Sequence, residues 1–428
     1  MHYLLCKRCT LIIVSKVSYQ PRIADAELNL LMGDLPGLLI IGPRGCGKTT
    51  IAANRSATEA RLDQPSVAAS FRADPDAAIE GLPQPLLIDE WQLVPDSLGA
   101  IKRAIDRGAP AGAFLVTGSV RSSVDGDHWP GTGRLTRVRM FPFNEREKLG
   151  RGGELGFLSR LESGLPVSAR PSRLNINDYV KIALTGGYPD AFKLSSAEVS
   201  ARWYSSYIDD TVTRDVNGLA GTVTRPRDAQ RLRAWLEAVA INSAGCPSSA
   251  SLCRATGINQ RTADAYDGLL EDLFITQRIP AWSTNRLKRL ARTPKRYIVD
   301  SGVWGAALGA TSASLKLDGN LTGRLLDTFV AAQIRPELQA SEARMFHLRT
   351  AEGRHEIDIL LELRNGGMIA IEVKASAGPG PADARHLSWL RDQIGPEFLA
   401  GIVFHTGPNT YLLDHQITAL PIASLWES

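Results

Sequence analysis

A phosphate-binding loop pattern constrains the fold of this chain more than any other feature. Residues 42–49 match G-x-x-x-x-G-K-[ST], and the apolar residues 37–41 directly before them have the composition of a buried strand. A helix beginning near Lys48 would place its positive end beneath bound phosphates. The pattern therefore predicts a strand, a nucleotide-binding loop and a helix, in that order. The alternative is a glycine-rich turn that binds nothing, and an acidic motif further along the chain argues against it.

The residue types in this loop suit a nucleoside triphosphate. Glycines let backbone N–H groups turn toward the phosphates, the Lys48 ammonium can reach the outer phosphates, and the Thr49 hydroxyl can ligate magnesium. ATP and Mg²⁺ are therefore the predicted cofactors. The predicted nucleotide-contacting residues of the loop are Gly42, Pro43, Arg44, Gly45, Cys46, Gly47, Lys48, Thr49 and Thr50.

A second apolar stretch, residues 85–90, ends in the carboxylates Asp89 and Glu90. If this strand lies beside the loop strand, Asp89 is placed near the magnesium ion, and Glu90 near the water that attacks the γ-phosphate. We therefore predict Asp89 and Thr49 as metal ligands and Glu90 and Lys48 as catalytic residues. An exposed acidic strand end is the alternative.

The next strand and the turn after it supply further candidates. Residues 113–119 end in hydroxyl side chains, and Thr117 or Ser119 could hold the attacking water or sense the γ-phosphate. A plain strand cap is the alternative. Arg134 follows a glycine turn and could be an arginine finger acting within or between subunits. It could equally be an ordinary surface residue.

Composition limits the class of protein. The chain has 428 residues, of which 44% are hydrophobic, so it can bury two to four domain cores as a soluble globular protein. A net charge of +4 does not by itself indicate nucleic-acid binding. The five scattered cysteines favour a reducing compartment, and we expect a cytoplasmic protein. The apolar run 11–14 is too short to span a membrane, so no membrane association is expected.

The middle of the chain has a helix-turn-helix pattern. Two helical stretches, 248–255 and 261–273, flank a glycine-containing turn, and strand-like residues follow at 274–279 and 296–299. This order predicts a winged helix. The segment Arg286 to Arg296 carries six basic residues and no acid, so it could contact DNA or RNA phosphates. A solvated basic hairpin, or a docking site for the nucleotide-binding domain, explains it equally well.

Two strands near the C-terminus carry acids and a lysine. Asp358 lies on the first, and Glu372 and Lys374 lie on the second, beyond Asn365-Gly366-Gly367. This arrangement resembles the PD-(D/E)xK nuclease fold, which implies carboxylates that bind magnesium and a lysine that orients water. The implied catalytic residues are Asp358, Glu372 and Lys374. The implied metal ligands are Asp327, Asp358 and Glu372.

Strand register tests that resemblance, because side chains alternate between the two faces of a sheet. A three-residue loop formed by residues 365–367 would pair Asp358 with Lys374 and place Glu372 on the same face. Gly367 would then take the left-handed final position of the loop. A two-residue loop would instead direct Asp358 to the opposite face. We therefore expect the three-residue loop.

Several motifs together resemble a known family. Besides the phosphate loop, they are LIDEWQLVPD at 87–96, LVTGS at 115–119, GRL at 133–135, FPFNERE at 141–147, TGGYPDA at 185–191 and YIVDSG at 297–302. They are similar to uncharacterised prokaryotic AAA-family ATPases whose C-terminal half is a domain of unknown function. The resemblance implies an AAA-like ATPase core in which Lys48, Thr49, Asp89 and Glu90 form the nucleotide site.

The expected architecture is α/β: a P-loop AAA-like parallel-sheet domain, a helical connector, a winged helix and a C-terminal PD-(D/E)xK-like α/β domain. The expected boundaries are 1–18 for an N-terminal extension, then 19–160, 161–223, 224–312 and 313–428. The leading function is an ATPase whose nucleotide state controls a C-terminal half that contacts nucleic acid or protein, including a second copy of the chain. The alternatives are an ATP-regulated DNA or RNA nuclease, defensive or toxin-like, and a non-catalytic ATP-switched adaptor.

Overall fold

The computed structural model describes residues 19–118, 132–165, 167, 171–212, 226–283, 293–350 and 353–427. The predictions about the N-terminal extension, about Ser119 and about basic residues 286–292 lie outside these ranges. Within them, no helix is both long enough and apolar enough to cross a membrane.

The first unit is built around a parallel five-stranded sheet with strand order β2-β3-β4-β1-β5. Its strands are β1 (Gly37–Ile41), β2 (Thr58–Arg61), β3 (Leu86–Asp89), β4 (Phe114–Gly118) and β5 (Thr136–Arg139). Strands β1, β3 and β4 are buried along their whole length, as expected for parallel strands covered on both faces. Because all five strands run the same way, their carboxyl ends meet at one edge of the sheet.

Helices cover both faces of this sheet. They are α1 (Ala24–Asp34), α2 (Lys48–Ala53), α3 (Pro65–Ala73), α4 (Pro75–Ile79), α5 (Ser97–Asp106) and α6 (Glu145–Lys148). Helix α2 begins at Lys48, directly after the phosphate loop, so the predicted order of strand, loop and helix is present. The parallel-sheet α/β domain expected from the sequence is confirmed.

The middle of the chain is mainly helical. Its helices are α7 (Phe157–Glu162), α8 (Ile176–Thr185), α9 (Pro189–Phe192), α10 (Ala197–Asp210), α11 (Pro226–Ile241), α12 (Ser249–Thr256), α13 (Gln260–Asp272), α14 (Ser301–Leu308) and α15 (Ser312–Leu317). After α13 comes an antiparallel pair, β6 (Thr276–Ile279) and β7 (Lys295–Ile298). The order from α11 to β7 is the one expected for a winged helix, and that assignment stays a prediction.

The C-terminal unit is a second sheet, with strand order β12-β13-β11-β10-β9-β8. Its elements are α16 (Gly319–Ala340), β8 (Arg344–Arg349), β9 (Glu356–Glu362), β10 (Met368–Val373), α17 (Arg385–Ile394), β11 (Phe398–His405), β12 (Tyr411–Asp414), β13 (Ile417–Pro421) and α18 (Ser424–Glu427). Apolar residues of α16 share one core with one face of the sheet, and apolar residues of α17 pack on the other face. The expected C-terminal sheet domain is therefore present.

The loop between β9 and β10 lies one residue earlier than expected. The Leu363 N–H donates to the Gly367 carbonyl over 2.9 Å, so these residues pair and the three-residue loop is 364–366. Gly366, with φ of 84°, takes the left-handed position that the expected loop assigns to Gly367. The register is Ile371 opposite Ile359, so Asp358 lies across from the position of Glu372 rather than of Lys374. The shift is two residues, and so Asp358 keeps the predicted face.

Helix α16 contacts the first unit as well as the second sheet. The Asn144 side chain donates to the Gln333 carbonyl over 3.1 Å, and the Glu145 N–H donates to the Gln333 side chain over 2.6 Å. One turn further on, Glu337 accepts from the Leu158 N–H and lies 3.6 Å from a guanidinium nitrogen of the buried Arg146. A single helix thus joins the two sheets.

Candidate functional site

The phosphate loop has the open backbone shape that its glycines predict. Gly42 and Gly47 have φ values of 157° and 99°, which side chains of L-residues disfavour. A Cβ at Gly42 would also lie 2.3 Å from the Met140 carbonyl oxygen. The loop therefore needs glycine at position 42 both for its dihedral angle and for the close approach of the neighbouring backbone.

Lys48 is folded back onto the loop. Its Nζ donates to the carbonyl oxygens of Gly42 and Pro43 over 3.0 and 2.8 Å, and the residue is buried. Neither partner carries a formal charge. An incoming phosphate oxygen would be a stronger partner for the ammonium than either carbonyl.

Asp89 receives two hydroxyl donors at the end of β3. The Thr49 Oγ1 donates to Asp89 Oδ1 over 2.9 Å, and the Thr117 hydroxyl donates to the same oxygen. The hydroxyl and the carboxylate that we predicted as magnesium ligands thus converge, and both are oxygen donors of the kind magnesium prefers. Thr117 contacts Asp89 and so fixes its orientation.

Glu90 follows Asp89 in a left-handed backbone conformation, with φ of 56°. A non-glycine residue with this φ is uncommon and is often found at functional sites. The conformation directs Glu90 toward the phosphate loop, and its carboxylate accepts a hydrogen bond from the Gln92 side-chain amide.

These residues surround a cavity of about 370 Å³. Its wall includes Lys48, Thr49 and Glu90, together with residues of three other segments. The additional lining residues are Tyr19, Gln20, Arg22, Arg44, Gly45, Gly47, Thr50, Ile51, Phe143, Pro189, Asp190 and Lys193. Of the predicted loop residues, Gly42, Pro43 and Cys46 do not line the cavity and are buried instead. Helix α9, from the middle of the chain, therefore closes one side of the cavity.

Arg22 is a residue of the site that sequence reasoning missed. This buried side chain donates to the carbonyl oxygens of Cys46 and Phe141 over 2.9 and 2.7 Å, and to Glu147 Oε1 over 2.9 Å. It thereby holds the backbone of the phosphate loop against the segment that follows β5. Glu147, within the FPFNERE motif, was the available signal, but nothing in the sequence pairs it with Arg22.

An aromatic cluster connects the loop to the middle helices. The Tyr207 hydroxyl donates to the Arg44 carbonyl over 3.2 Å and lies 3.0 Å from the Tyr188 hydroxyl. Behind it, the buried Asp300 accepts from the Gly187 N–H over 2.7 Å. The TGGYPDA and YIVDSG motifs therefore meet behind the nucleotide cavity.

Arg134 lies away from this cavity. Its guanidinium donates to Asp106 over 3.0 Å at the surface. Its carbonyl oxygen is near Gly37, at the amino end of β1, whereas the phosphate loop follows the carboxyl end of β1. The structure therefore does not bring Arg134 together with the phosphate loop of its own chain.

The C-terminal cluster contains a lysine that we did not predict. Lys295, from β7, lies between the two acids: its Nζ is 3.1 Å from Asp327 Oδ2 and 3.0 Å from Asp358 Oδ1. Burial alone would lower the pKa of Lys295, but the two carboxylates outweigh it and hold this pKa well above the usual range. Arg296, the next residue, is buried in an ion pair with Asp267. These two cations therefore do not face solvent as phosphate contacts, which corrects that part of the basic-segment prediction.

Glu372 and Lys374 form a separate pair, with 3.0 Å between Oε2 and Nζ. Burial and the nearby Asp358 carboxylate raise the pKa of Glu372 well above its usual range. Burial also raises the pKa of Asp327, to about 6, while Lys295 acts in the opposite direction. For Asp358, burial is outweighed by Lys295, and the pKa lies below its usual range.

The predicted magnesium ligands of this cluster lie near one another but are not arranged as a metal site. Among the described residues, no group of three or more His, Cys, Asp or Glu side chains is arranged to hold a metal ion. Asp327 and Asp358 are brought together, but Lys295 lies between them. The C-terminal cluster therefore does not fit the magnesium ion that the resemblance implied.

Three family descriptions match successive parts of the chain. An AAA domain matches residues 36–149, a domain of unknown function (DUF8612) matches 176–314, and a second (DUF4143) matches 322–425. The matched AAA segment contains the phosphate loop, Asp89 and Glu90.

Similar proteins occur in mycobacteria. Uncharacterized protein Rv2008c from Mycobacterium tuberculosis and uncharacterized protein Mb2031c from Mycobacterium bovis are each 30% identical over 412 residues, covering 95% of this chain and 85% of the relative. Among solved structures, AMPPCP-bound DnaA from Aquifex aeolicus matches with a TM-score of 0.27 and 13% identity, over 57% of this chain and 86% of DnaA.

Proposed function

We propose that this chain, which belongs to the same family as mycobacterial Rv2008c and Mb2031c and contains an AAA domain, binds ATP with Mg²⁺ and hydrolyses it. One observation carries the proposal: Lys48, Thr49 and Glu90 line a single open cavity, and Asp89 lies directly behind Thr49. A phosphate-binding loop without a catalytic carboxylate would support binding only.

Each residue has a distinct role in this mechanism. Backbone N–H groups of the loop and the Lys48 ammonium bind the phosphates, and Lys48 exchanges its two carbonyl partners for phosphate oxygens. Thr49 and Asp89 would hold Mg²⁺, which would supply positive charge to the phosphate oxygens. Glu90 accepts a proton from the attacking water. Thr117 keeps Asp89 oriented, and Gln92 orients Glu90.

We further propose that nucleotide binding controls the rest of the chain through two contacts. Asp190 and Lys193, in and next to α9, line the nucleotide cavity, so a bound nucleotide would touch the middle helices directly. The Tyr207 hydroxyl holds the Arg44 carbonyl, so a change in the loop backbone would change that hydrogen bond. Both contacts lead into the core shared by the middle and the C-terminal units.

The test compares two lysine variants of the full chain. Lys48→Ala should weaken Mg·ATP binding by about tenfold or more, because it removes a charge-assisted contact to phosphate. Lys102→Ala is the matched control, since Lys102 is an exposed lysine paired with Asp106. Binding is measured by calorimetry, and hydrolysis by release of inorganic phosphate. Equal ATP affinities for the two variants would refute the site. Tight binding without Mg²⁺-dependent phosphate release would leave the ATP-switched adaptor.

Nucleic acid is a proposed partner of the C-terminal half, and the proposal now rests on four cations. Lys295 and Arg296 are buried in ion pairs, which leaves Arg286, Lys288, Arg289 and Arg292. Replacing these four with Ala should reduce the log–log salt dependence of DNA or RNA binding by about 0.9 for each phosphate that is no longer neutralised. Unchanged affinity and salt dependence would instead favour a protein partner.

A further inference from the structure

We propose that the C-terminal carboxylate cluster is an internal ionic joint, in which the Lys295 ammonium occupies the position that a divalent metal takes in a nuclease site. This inference is independent of ATP hydrolysis. It rests on three observations. All three N–H donors of the Lys295 ammonium have acceptors, and every carboxylate oxygen of Asp327 and Asp358 accepts a hydrogen bond. The third acid, Glu372, pairs with Lys374.

The Lys295 ammonium has three N–H donors and three acceptors within reach. They are Asp327 Oδ2 at 3.1 Å, Asp358 Oδ1 at 3.0 Å and the Asp358 carbonyl oxygen at 3.2 Å. The side chain is 1% exposed. The Lys295 side chain is therefore a buried part of the fold and not a surface lysine that folds back onto the two acids.

The remaining oxygens of the two acids are occupied as well. Asp327 Oδ1 accepts from the Tyr297 hydroxyl over 2.8 Å, and Asp358 Oδ2 accepts from the Val373 N–H over 3.1 Å. Magnesium requires close to octahedral coordination by oxygens at about 2.0–2.1 Å. A metal ion at this position would have to displace the ammonium, because two cations so close together in a buried site repel strongly.

Glu372 does not complete a metal site with these acids. Its side chain is 5% exposed and pairs with Lys374, the lysine that the nuclease resemblance assigns to water activation. The five charged groups thus divide into a triad around the buried Lys295, Asp327–Lys295–Asp358, and a neighbouring pair, Glu372–Lys374. Each carboxylate has an ammonium partner.

The position of Lys295 in the fold explains what the triad joins. Lys295 belongs to β7 of the middle unit, Asp327 to α16, and Asp358 to β9 of the C-terminal sheet. One ammonium therefore links three elements. A metal ion could enter the cluster only after the Lys295 ammonium had left it.

Manganese titration of nucleotide-free, full-length protein tests the proposal, with bound Mn²⁺ followed by electron paramagnetic resonance. Wild type and Asp358→Asn should bind the same number of Mn²⁺ ions. Lys295→Ala should gain one ion per chain, bound at least tenfold more tightly than wild type binds Mn²⁺ at this position, because the buried Asp327 and the partly exposed Asp358 lose their shared counter-ion. The double variant Lys295→Ala with Asp358→Asn should lose the added ion. Lys295→Arg, which keeps the charge, should gain none.

Two results would overturn the proposal. One is Mn²⁺ binding by wild type that Asp358→Asn removes, and the other is a folded Lys295→Ala protein that gains no ion. If Lys295→Ala does not fold, the comparison of wild type with Asp358→Asn still decides. Cleavage assays add an independent arm: wild type and Asp358→Ala should give identical products from single-stranded, duplex and branched substrates, with and without ATP. Cleavage that depends on Asp358 would contradict the proposal that this cluster is only an internal ion-pair contact. Phosphate release from ATP should be the same in either case, so the two proposals are tested separately.

Discussion

The phosphate loop and the C-terminal cluster both place a buried lysine next to acids, yet they differ in what the lysine touches. Lys48 donates to two backbone carbonyls beside an open cavity, whereas the buried Lys295 ammonium donates to two carboxylates. A carbonyl is easily exchanged for a phosphate oxygen, but a buried carboxylate is not. A lysine near acids therefore indicates a binding site only when its present partners can be replaced.

The acids differ in the same way. Asp89 accepts hydrogen bonds from two neutral hydroxyls, so its negative charge has no cationic partner among these contacts. Asp327 and Asp358 share the charge of Lys295. The first arrangement keeps charge available for a metal ion, and the second uses it to hold the fold together.

The largest expected effect is on ATP turnover, which should depend on Glu90 at the phosphate loop and not on Asp358 in the C-terminal cluster. Glu90→Gln should lower ATP turnover by about 100- to 10,000-fold, because the amide cannot accept a proton from water, while ATP binding is retained. Asp358→Asn should leave turnover within about twofold, since Asp358 does not line the nucleotide cavity. Steady-state phosphate release measures both. Equal rates for wild type and Glu90→Gln would remove the catalytic distinction.

The free energy of unfolding should depend more on the C-terminal cluster than on the phosphate loop. Lys295→Met leaves the buried Asp327 and the partly exposed Asp358 without their shared cation and should lower the free energy of unfolding by about 3 kcal/mol. Lys48→Met removes two hydrogen bonds to carbonyls at the edge of a cavity and should cost about 1–2 kcal/mol. Urea denaturation of the two variants makes the comparison. A larger loss for Lys48→Met would show that the loop, rather than the triad, contributes more to stability.

A smaller effect depends on pH. Burial raises the pKa of Asp327 to about 6, so the folded state holds this proton more tightly than the unfolded state. The stability that Asp327 contributes is therefore fully present below about pH 4 and is lost as pH rises toward 6. The difference in unfolding free energy between wild type and Asp327→Asn should fall by up to about 2 kcal/mol over this range. A difference that stays constant from pH 4 to pH 7 would argue against the assignment.

Local patterns predicted much of the fold. The strand, loop and helix around Lys48 follow from neighbouring residues, and both the parallel sheet and the C-terminal sheet are present. The face of Asp358 was also predictable, since an odd loop length preserves alternation even when the loop shifts by one residue. The structure brings Lys48, Thr49 and Glu90 to one cavity, and their roles stay predictions.

Contacts between distant segments could not be predicted. Lys295 is separated from Asp327 and Asp358 by 32 and 63 residues, and Arg22 from Glu147 by 125. In the sequence, Lys295 is one of six basic residues in a run and looks like a surface cation. Only its contacts with Asp327 and Asp358 in the folded chain show that it is buried. Arg134 was predicted at the nucleotide site but lies at the surface near the amino end of β1. Its position next to a glycine turn does not specify which edge of the sheet it occupies.

The contacts of α16 with the first unit affect how this protein can be divided for expression. Gln333 and Glu337 satisfy polar groups of Asn144, Glu145 and Leu158, and Glu337 is the acid beside Arg146, which is only 4% exposed. A fragment that ends near residue 160 would lack these partners and would expose a surface built to be covered. The AAA segment is therefore unsuited to recombinant production as an isolated fragment, and a chimera that exchanges it would need to exchange α16 with it.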